Sequence, residues 1–533
     1  MTGILQKQDS IMISDTAAGS RTDVSVSIQR AAQAQPGAIA LADSTRRLTW
    51  ETLDTTLNQV ANALIQRDIQ PNQRIAILGR NSVDYGLLFL GGLRAGICIV
   101  PLSTLASSEA LAGMINDSEA KLLFVSRDYW DLIEPVTDKI NTLMPDGLKM
   151  LESEGLDIDH NDLQSFASFI DGASSAPVEI PISLEWGFNL IYSSGTTGQP
   201  KGIMQSRRYR ALEAQALAGL GFDQNSRALI STPLYSNTTL FIFFSILANG
   251  GTVFLMEKFS TSEFLEISQR EKITHTVLVP VQYERLLNDP GFDSADLSNY
   301  QFKCSTSAPL HTAVKQSLLA RWPEGGLWEF YGMTEGGVNC ALAAHERPDK
   351  LDTVGQPGEG CDVRIIDDHG NELPQGEAGE IVGSSDRIMD GYHNRPEVTQ
   401  KASWYNAEGV RYHRSGDIGW FDDEGFLHLL DRKKDMIISG GFNVYAIDLE
   451  RVLLSHSDVD DVAVIAAPSE QWGETPLAFV VLTPGVNLDA EELRQWANGQ
   501  LGKAQRISEV RLIDELPRSP IGKVLKRELR DGL

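Results

Sequence analysis

Short apolar runs alternate with amphipathic helical patterns through most of the chain, and this alternation restricts the fold more than any other feature. Residues 74–78 read RIAIL, which predicts a buried strand, and residues 84–93 have the periodicity of a helix. Strand–helix–strand repetition is typical of largely parallel sheets, and a chain of 533 residues requires more than one core. The same patterns predict a helix at 311–321 and strands at 97–100, 228–231, 252–255, 276–279 and 302–304.

The pattern changes near residue 362. Residues 363–383 and 419–431 each hold apolar runs around glycine-bearing turns, which predicts β-hairpins. We therefore predict an α/β fold: a large N-terminal domain, residues 1–431, with largely parallel sheets flanked by helices plus a β-rich subdomain, and a small α+β C-terminal domain, residues 432–533. The order predicted in the latter is helix, strand, strand, helix, strand and helix, at 446–454, 462–466, 478–482, 490–501, 510–513 and the final residues.

The charge and the cysteines limit the classes of function. A net charge of −26 argues against non-specific binding of nucleic acid or of an anionic membrane. Apolar runs such as residues 240–244 are too short to span a bilayer, and the first residues lack the regions of a signal peptide. The four cysteines form no CxxC pair, which fits a reducing compartment. A cytoplasmic protein is expected.

Residues 192–202, YSSGTTGQPKG, combine three glycines with four Ser and Thr hydroxyls and one lysine. Glycine costs conformational entropy on folding, so a cluster of it favours a specific role, such as close approach of backbone N–H groups to a phosphate. The alternative interpretation is a polar surface loop. A P-loop is disfavoured, because its lysine lies between glycine and Ser or Thr, whereas Lys201 lies between Pro200 and Gly202.

Four further stretches follow in order: FYGMTE at 330–335, YHRSGD at 412–417, LDRKKDMIISGG at 430–441 and PRSPIGKVLKR at 517–527. Together with the glycine-rich stretch they resemble the adenylate-forming family of acyl-CoA synthetases, luciferases and adenylation domains. The resemblance extends from about residue 27 to the C-terminus, and it rests on five motifs in the same order rather than on any one of them.

The resemblance implies an ATP-dependent acid–CoA ligase. In that chemistry a carboxylate attacks the α-phosphate of ATP, giving an acyl-adenylate and pyrophosphate, and the thiol of coenzyme A then displaces AMP. ATP, Mg²⁺ and coenzyme A are the implied cofactors, a small-molecule carboxylic acid is the implied partner, and a homodimer is left open. Catalysis should come from positioning and charge neutralisation, without a covalent protein nucleophile.

The family motifs assign the nucleotide contacts residue by residue. The resemblance places Tyr331 against adenine, Asp417 and Arg432 on the ribose, Thr334 on the α-phosphate and Glu335 on Mg²⁺. The ordinary alternatives are a core tyrosine, a turn aspartate and an exposed linker arginine. The implied cradle for the β- and γ-phosphates is Ser193, Ser194, Gly195, Thr196, Thr197, Gly198 and Lys201. Further nucleotide contacts are expected at Ser307, Ala308, Pro309, Gly332 and Met333.

Two lysines carry the predicted mechanism. Lys523 matches the family lysine that reaches from the small domain to the attacking carboxylate and the α-phosphate, a task suited to a compact charge on a flexible stem. Lys434 aligns with the family hinge, about which the small domain turns for thioester formation. Contacts to coenzyme A are expected at Gly440, Gly441, Trp472 and Arg506, although Trp472 also suits a core and Arg506 a solvated surface.

The acid pocket departs from the usual pattern of the family. Ser236 stands where PLYH or PMFH motifs have histidine, and Thr306 stands where a small residue, often glycine, is usual. The apolar residues within 237–244 suggest a medium-chain fatty acid or a small aromatic acid, whereas Arg207 and Arg208 leave a second carboxylate open. The expected acid-binding residues are Tyr235, Ser236, Asn237, Thr306, Gly332 and Gly337.

Three other functions stay open at this point. One is an adenylating enzyme that loads the thiol of a separate carrier protein, and another is a luciferase-like oxygenase acting on the adenylate. The third is a non-catalytic nucleotide-binding regulator. The presence of Lys523, Glu335 and Asp417 argues against that regulator, because nucleotide binding alone would not need all three.

Overall fold

The computed structural model describes residues 22–152, 163–193, 200–439, 442–469, 471–502, 505–519 and 522–533, and we number strands and helices in chain order. Its largest sheet contains nine described strands; the six neighbouring strands in the middle pair in parallel, and the strands at both edges pair antiparallel. The predictions at 228–231, 252–255, 276–279 and 302–304 are confirmed to within one residue. In spatial order the strands are β15 (Gln356–Pro357), β14 (Asn339–Ala343), β13 (Gly326–Gly332), β12 (Phe302–Ser305), β11 (His275–Leu278), β9 (Arg227–Ile230), β10 (Thr252–Leu255), β1 (Ile39–Ala42) and β2 (Arg47–Thr49).

A second sheet contains seven described strands. Its inner pairs are parallel, and antiparallel strands lie at one edge, where the glycine-rich stretch begins and ends. The strands predicted at 74–78 and 97–100 lie at its centre. In spatial order they are β18 (Gly391–Tyr392), β8 (Lys201–Ser206), β7 (Gly187–Ser193), β4 (Cys98–Pro101), β3 (Arg74–Leu78), β5 (Leu122–Val125) and β6 (Leu148–Met150).

Helices α2, α3 and α8 lie between these two sheets. One apolar core joins their side chains to strand residues of both sheets, and the ring of Phe244 packs 5.1 Å from Phe89 and 4.7 Å from Phe188. The helices of this part of the chain are α1 (Val24–Ala34), α2 (Trp50–Gln66), α3 (Val83–Arg94), α4 (Ser108–Ser118), α5 (Trp130–Ile133), α6 (Phe166–Ile170), α7 (Arg207–Gly219), α8 (Asn237–Ala248), α9 (Thr261–Arg270), α10 (Pro280–Leu287), α11 (Thr312–Arg321) and α12 (Pro396–Lys401). Single 3₁₀ turns lie at Arg127–Tyr129, Glu134–Lys139 and Phe292–Ser294.

Both predicted hairpins form in a third, antiparallel sheet. The first pairs β16 with β17 and the second pairs β20 with β21, and Asp417 faces Arg432 in the second register. The largely antiparallel pairing confirms the predicted β-rich subdomain. The strands are β16 (Cys361–Ile366), β17 (Gly379–Ser385), β19 (Ser403–Tyr405), β20 (Arg411–Phe421) and β21 (Leu427–Arg432).

The C-terminal region has its own sheet and its own apolar core. The six predicted elements occur in the predicted order, but two strands that were not predicted precede them, at Ile437–Ser439 and Phe442–Val444. The two strands after the first helix are longer than expected because they form one extended antiparallel pair. They are β22 (Ile437–Ser439), β23 (Phe442–Val444), α13 (Ala446–Leu454), β24 (Val459–Ser469), β25 (Gly473–Leu482), α14 (Ala490–Asn498), β26 (Glu509–Leu512) and α15 (Lys526–Asp531).

The contacts between the C-terminal region and the rest of the chain include one at the start of α13 and one beside Lys523. Asp431 Oδ2 accepts a hydrogen bond of 2.7 Å from the N–H of Ala446 at the start of α13, which caps that helix. Gly522, at φ +73°, lies so close to α10 that an added Cβ would be 2.8 Å from Val281 Cγ1. Among the described helices, none has the length and apolar character needed to cross a bilayer.

Candidate active site

Tyr331, Asp417 and Arg432 meet where β13 ends beside the β20–β21 hairpin. The Tyr331 hydroxyl donates a 2.8 Å hydrogen bond to Asp417 Oδ2, and Arg432 Nε lies 3.3 Å from Asp417 Oδ1. Antiparallel pairing places Asp417 directly opposite Arg432, so the hairpin register holds this ion pair. The structure therefore brings together the three residues that the motifs assign to adenine and ribose.

Asp417 is a buried carboxylate with spare hydrogen-bonding capacity. It is 6% exposed, and its Oδ1 accepts no hydrogen bond within the described residues. Burial raises the pKa of Asp417, while Arg432, Tyr331 and Lys523 oppose that rise. A carboxylate oxygen has two lone pairs, so this atom is suited to accept hydrogen bonds from a diol such as ribose.

Lys523 enters the same site from the C-terminal region. A short turn holds its backbone, because Ser519 N–H donates to the Lys523 carbonyl at 2.8 Å and Lys523 N–H donates to Ser519 Oγ at 3.1 Å. The preceding Gly522 allows the close approach to α10. The site is thus assembled from two separately packed parts of the chain.

The cations at this site are not fully neutralised. Burial, with Arg432 and Lys434 acting in the same direction and Asp417 and Asp435 opposing them, lowers the pKa of Lys523 to about 8. Burial also lowers the pKa of Lys434, again with Arg432 in the same direction. A bound phosphate would relieve this mutual repulsion, so the cluster is suited to an anion although the chain carries a net charge of −26.

A pH dependence follows from Lys523. Its pKa of about 8 lies below the ordinary lysine value, so the ammonium form is lost as pH rises through about 8. If adenylation needs that ammonium, kcat/KM for ATP in acid-dependent pyrophosphate exchange should fall about tenfold per pH unit above this value. Lys523→Arg should lack this limb, because guanidinium stays charged. The same alkaline limb in both proteins would exclude Lys523 as its source.

Glu335 lies beside Tyr392 and Lys201. The Tyr392 hydroxyl donates a 2.8 Å hydrogen bond to Glu335 Oε1, and Lys201 Nζ lies 5.5 Å from the centre of the Tyr392 ring. Lys201 also faces Ser193 in the β7–β8 register. Predicted contacts for the metal and the terminal phosphates are therefore neighbours. The other predicted cradle residues, Ser194, Gly195, Thr196, Thr197 and Gly198, lie outside the described residues.

Two supporting residues were missed from the sequence. Tyr392 holds Glu335, and Gln205 Nε2 donates a 2.7 Å hydrogen bond to the carbonyl of Thr334. Both hydrogen bonds join residues that are far apart in the chain, and no local sequence pattern predicts them. Gln205 offers one signal only: it is a fully buried amide in a strand, and buried amides need partners.

The burial of helix α8 corrects the interpretation that the apolar residues within 237–244 line the acid pocket. Residues 240–247, including Phe243 and Phe244, are almost completely buried, and the apolar ones pack in the core between the two sheets. Their apolar character is therefore explained by packing. Within α8, the predicted pocket residue Asn237 and its neighbour Thr238 are partly exposed, and both are polar.

The loop after β12 borders the first turn of α8. Ser307 adopts a positive φ of 79°, which costs about 1 kcal/mol for a residue with a side chain. Its hydroxyl contacts the Thr238 hydroxyl, and Leu310 N–H donates a 2.8 Å hydrogen bond to buried Glu329. These contacts fix the segment that holds Thr306, Ala308 and Pro309.

The glycines of the FYGMTEGG segment differ in their surroundings. Gly332 is exposed, in keeping with a place beside a ligand. Gly337, at φ +81°, is buried, and an added Cβ would lie 2.5 Å from the Gly383 carbonyl oxygen. Close backbone packing therefore explains Gly337, and the expectation that it leaves room for the acid finds no support.

Arg207 and Arg208 have partners that remove them from the acid pocket. Arg207 is fully buried, pairs with Asp23 at 3.1 Å and donates to the Leu93 carbonyl at 2.8 Å. Arg208 Nε lies 3.2 Å from Glu185. Binding of a second substrate carboxylate by these arginines is therefore not supported.

The residues predicted for coenzyme A are not gathered in this site. Trp472 is 51% exposed at the turn between β24 and β25, and Arg506 is exposed before β26. Within the described residues, no hydrogen bond or ion pair joins either side chain to the Asp417–Lys523 cluster. Gly440 and Gly441 lie outside the described residues. Their roles stay predictions.

The chain is similar to known proteins over most of its length. The family of AMP-binding enzymes matches residues 28–393, and the C-terminal domain of AMP-binding enzymes matches residues 448–523. Feruloyl-CoA synthase from an Amycolatopsis species is 31% identical over 94% of this chain and 97% of that protein. Fatty acid–[acyl-carrier-protein] ligase ScoC from Streptomyces coeruleorubidus is 29% identical over 94% of each. The crystal structure of ATP-bound MatB from Rhodopseudomonas palustris has a TM-score of 0.85 at 27% identity, covering 96% of this chain and 99% of that one.

Proposed function

The chain belongs to the AMP-binding enzyme family as an ATP-dependent acid–CoA ligase, and from this premise we propose that the cluster around Asp417 and Lys523 is its adenylating centre. One observation carries the proposal: the buried Asp417 Oδ1, which accepts no hydrogen bond within the described residues, lies in the same site as Lys523, whose pKa is lowered to about 8, mainly by burial. One group suits a ribose diol and the other an α-phosphate.

In the proposed first step the acid carboxylate attacks the α-phosphorus of ATP, and the bond to pyrophosphate breaks. Asp417 and Arg432 hold the ribose, Tyr331 lies against adenine, and Lys523 neutralises charge on the carboxylate and the α-phosphate. In the second step the thiol attacks the acyl carbon, loses its proton, and AMP leaves. These residues act by position and charge.

Mg²⁺ supplies charge neutralisation to the phosphates of ATP when bound. The site fits it: Glu335 offers a carboxylate next to Lys201 and Tyr392, and a hard cation that bridges phosphate oxygens needs few protein ligands. Among the described residues no cluster of three or more acidic, His or Cys side chains provides a dedicated cage. We therefore assign Glu335 as a protein contact for Mg²⁺, with Tyr392 fixing its carboxylate.

We further propose that residues 432–533 turn as a lid about Lys434 between the two steps. The segment 432–435 forms a tight turn, with a 2.8 Å hydrogen bond from Asp435 N–H to the Arg432 carbonyl. It follows the hairpin that carries Arg432 and precedes the separate C-terminal core. Gly440, Gly441, Trp472 and Arg506 are the proposed contacts of coenzyme A after the turn.

An aryl acid is the proposed substrate, with a medium-chain fatty acid second. The similar feruloyl-CoA synthase favours the aryl class. The test is AMP release from ATP and coenzyme A with cinnamic, phenylacetic, benzoic and C6–C10 fatty acids. Aryl acids should give kcat/KM at least tenfold above the fatty acids. AMP release with none of them would contradict the proposed function.

A carrier-protein thiol is the second candidate for the acceptor, because the similar ScoC is named as a ligase of an acyl-carrier protein. The two acceptors are separated by supplying coenzyme A and a purified, pantetheine-bearing carrier protein in parallel reactions. AMP release that requires the carrier protein would favour this candidate over free coenzyme A.

Thr306→Gly should broaden the range of acids. Thr306 lies in the fixed loop after β12 and brings a β-branched side chain, stiff at χ1, beside the proposed acid site. Removal of this side chain should raise kcat/KM for the bulkier of two homologous acids, relative to the smaller one, by roughly tenfold or more. This is about the discrimination that one methylene group provides in an apolar pocket. The ratio of kcat/KM values checks this. An unchanged ratio would show that Thr306 does not border the acid.

We also propose a cytoplasmic location and a homodimer. Cys98, Cys304, Cys340 and Cys361 are free thiols, in keeping with a reducing compartment. Light scattering of the purified protein would decide between monomer and dimer.

A further inference from the structure

Arg210, in α7, lies at the centre of a buried polar network next to the proposed acid site. Its side chain is fully buried, and its Nη1 pairs with Glu213 at 2.6 Å. Its Nη2 donates to Gln205 Oε1 at 2.6 Å and to Asn237 Oδ1 at 2.7 Å, and its Nε donates to Asn189 Oδ1 at 3.2 Å. Three carboxamides therefore surround one guanidinium.

The guanidinium fixes which way each carboxamide points. Arginine has five N–H donors and no acceptor. Every carboxamide beside it must therefore present its oxygen to the guanidinium, and the NH₂ group of that carboxamide must point away. Gln205 uses its NH₂ group to donate to the Thr334 carbonyl at 2.7 Å and to Asn237 Oδ1 at 3.2 Å. Asn189 uses its NH₂ group to donate to Gln205 Oε1 at 2.9 Å.

Asn237 differs from the other two amides. Its oxygen accepts two hydrogen bonds, yet its NH₂ group donates to no acceptor within the described residues. Asn237 is partly exposed in the first turn of α8. On one side Gln205 links it to the backbone of Thr334, and on the other Thr238 contacts Ser307. A fixed donor with no acceptor among the described residues therefore lies between the Thr334 segment, proposed to contact the α-phosphate, and the Ser307 segment beside the proposed acid site.

We infer that Asn237 Nδ2 donates a hydrogen bond to an acceptor on the acid, at a position away from the reacting carboxylate. The inference rests on the proposed function and narrows its substrate class to acids that bear a hydroxyl, alkoxy or carbonyl oxygen. Arg210 and Gln205 act as positioning residues, since they hold the Asn237 amide and do not contact the acid. A purely apolar acid would leave this donor unpaired as water is displaced.

Paired acids test the inference. Cinnamic and phenylacetic acids with a methoxy group at each ring position are compared with their ethyl counterparts, which have the same shape without the acceptor. Acid-dependent pyrophosphate exchange should show kcat/KM about tenfold higher for methoxy at one position, the value of one ordinary hydrogen bond. Asn237→Ala should abolish that preference.

Asn237→Asp gives the sharper result. Aspartate keeps both acceptor contacts with Arg210 and Gln205 but replaces the outward NH₂ group with oxygen. Preference should turn from methoxy to hydroxyl at the same ring position, because only the hydroxyl can donate. Asn141→Asp, on an exposed residue, is the matched control for the added charge and should leave the ratios unchanged.

The outcomes separate the inference from the function on which it rests. Equal methoxy and ethyl rates in the unmodified enzyme, or an unchanged ratio in Asn237→Asp, would overturn the inference while the ligase activity stands. If none of the acids supported pyrophosphate exchange, the proposed function itself would be overturned. A ratio that changes only in the two Asn237 variants supports the assignment, since a general loss of stability would lower both rates together.

Discussion

Replacing Lys523 with alanine is expected to lower the rate of acyl-adenylate formation by about 10²–10³, the usual loss for one charge-stabilising donor. Thioester formation from preformed acyl-AMP should stay close to the unmodified rate. The reason is geometric: in this orientation Lys523 shares a site with Asp417 and Arg432, and the proposed lid removes it before the thiol step. Pyrophosphate exchange and single-turnover thioester formation measure the two steps separately.

The control for this variant is Arg527→Ala. Arg527 belongs to the same PRSPIGKVLKR stretch, but its side chain is 69% exposed and its ion pair with Asp531 is long, at 3.8 Å. Its loss should change neither step by more than about twofold, since exposed ion pairs contribute little. If Lys523→Ala reduced both steps equally, the assignment of Lys523 to the first step alone would be wrong.

Lys434→Pro is expected to have the opposite selectivity. Proline fixes φ and should therefore restrict rotation of the lid about this residue. A badly placed proline costs about 3 kcal/mol, so CoA-dependent turnover should fall by roughly a hundredfold. The Lys434 N–H donates to no backbone carbonyl within the described residues, so proline would remove no such hydrogen bond directly. Lys434 does occupy the third position of the 432–435 turn, where proline is disfavoured, so a smaller loss of exchange is expected as well.

Lys434→Ala separates backbone from side chain at this position. It removes the ammonium and leaves the backbone free, so both half-reactions should persist. Normal steady-state turnover in Lys434→Pro would eliminate Lys434 as the hinge. A loss in Lys434→Ala as large as in Lys434→Pro would assign the effect to the charge instead.

Local patterns carried the strand and helix predictions. The strands at 74–78 and 252–255 and the helix at 446–454 are reproduced to the residue, because each is a short apolar or amphipathic run that ends at polar or turn-forming residues. The motif residues Tyr331 and Asp417 also meet as expected. Their partnership crosses the sequence, and the family pattern supplied what periodicity could not.

The acid pocket was the part that local patterns could not define. An apolar helix such as α8 has the same sequence pattern whether it lines a cavity or lies between two sheets. Here its packing with Phe89 and Phe188 explains its apolar character. The partners of Arg207 and Arg210 were equally invisible, since they lie on other strands and helices. Only their burial distinguishes a structural arginine from one that binds substrate.

The capping bond between Asp431 and Ala446 has a thermodynamic consequence. This hydrogen bond forms only in the orientation of the C-terminal region described above. It therefore stabilises that orientation, relative to one in which the lid has turned, by about 1 kcal/mol, or roughly fivefold in population. A nucleotide that needs both Asp417 and Lys523 binds only the molecules so arranged, and its apparent affinity scales with their fraction. A substitution at Asp431 can therefore change the measured dissociation constant for ATP without altering any atom that touches ATP.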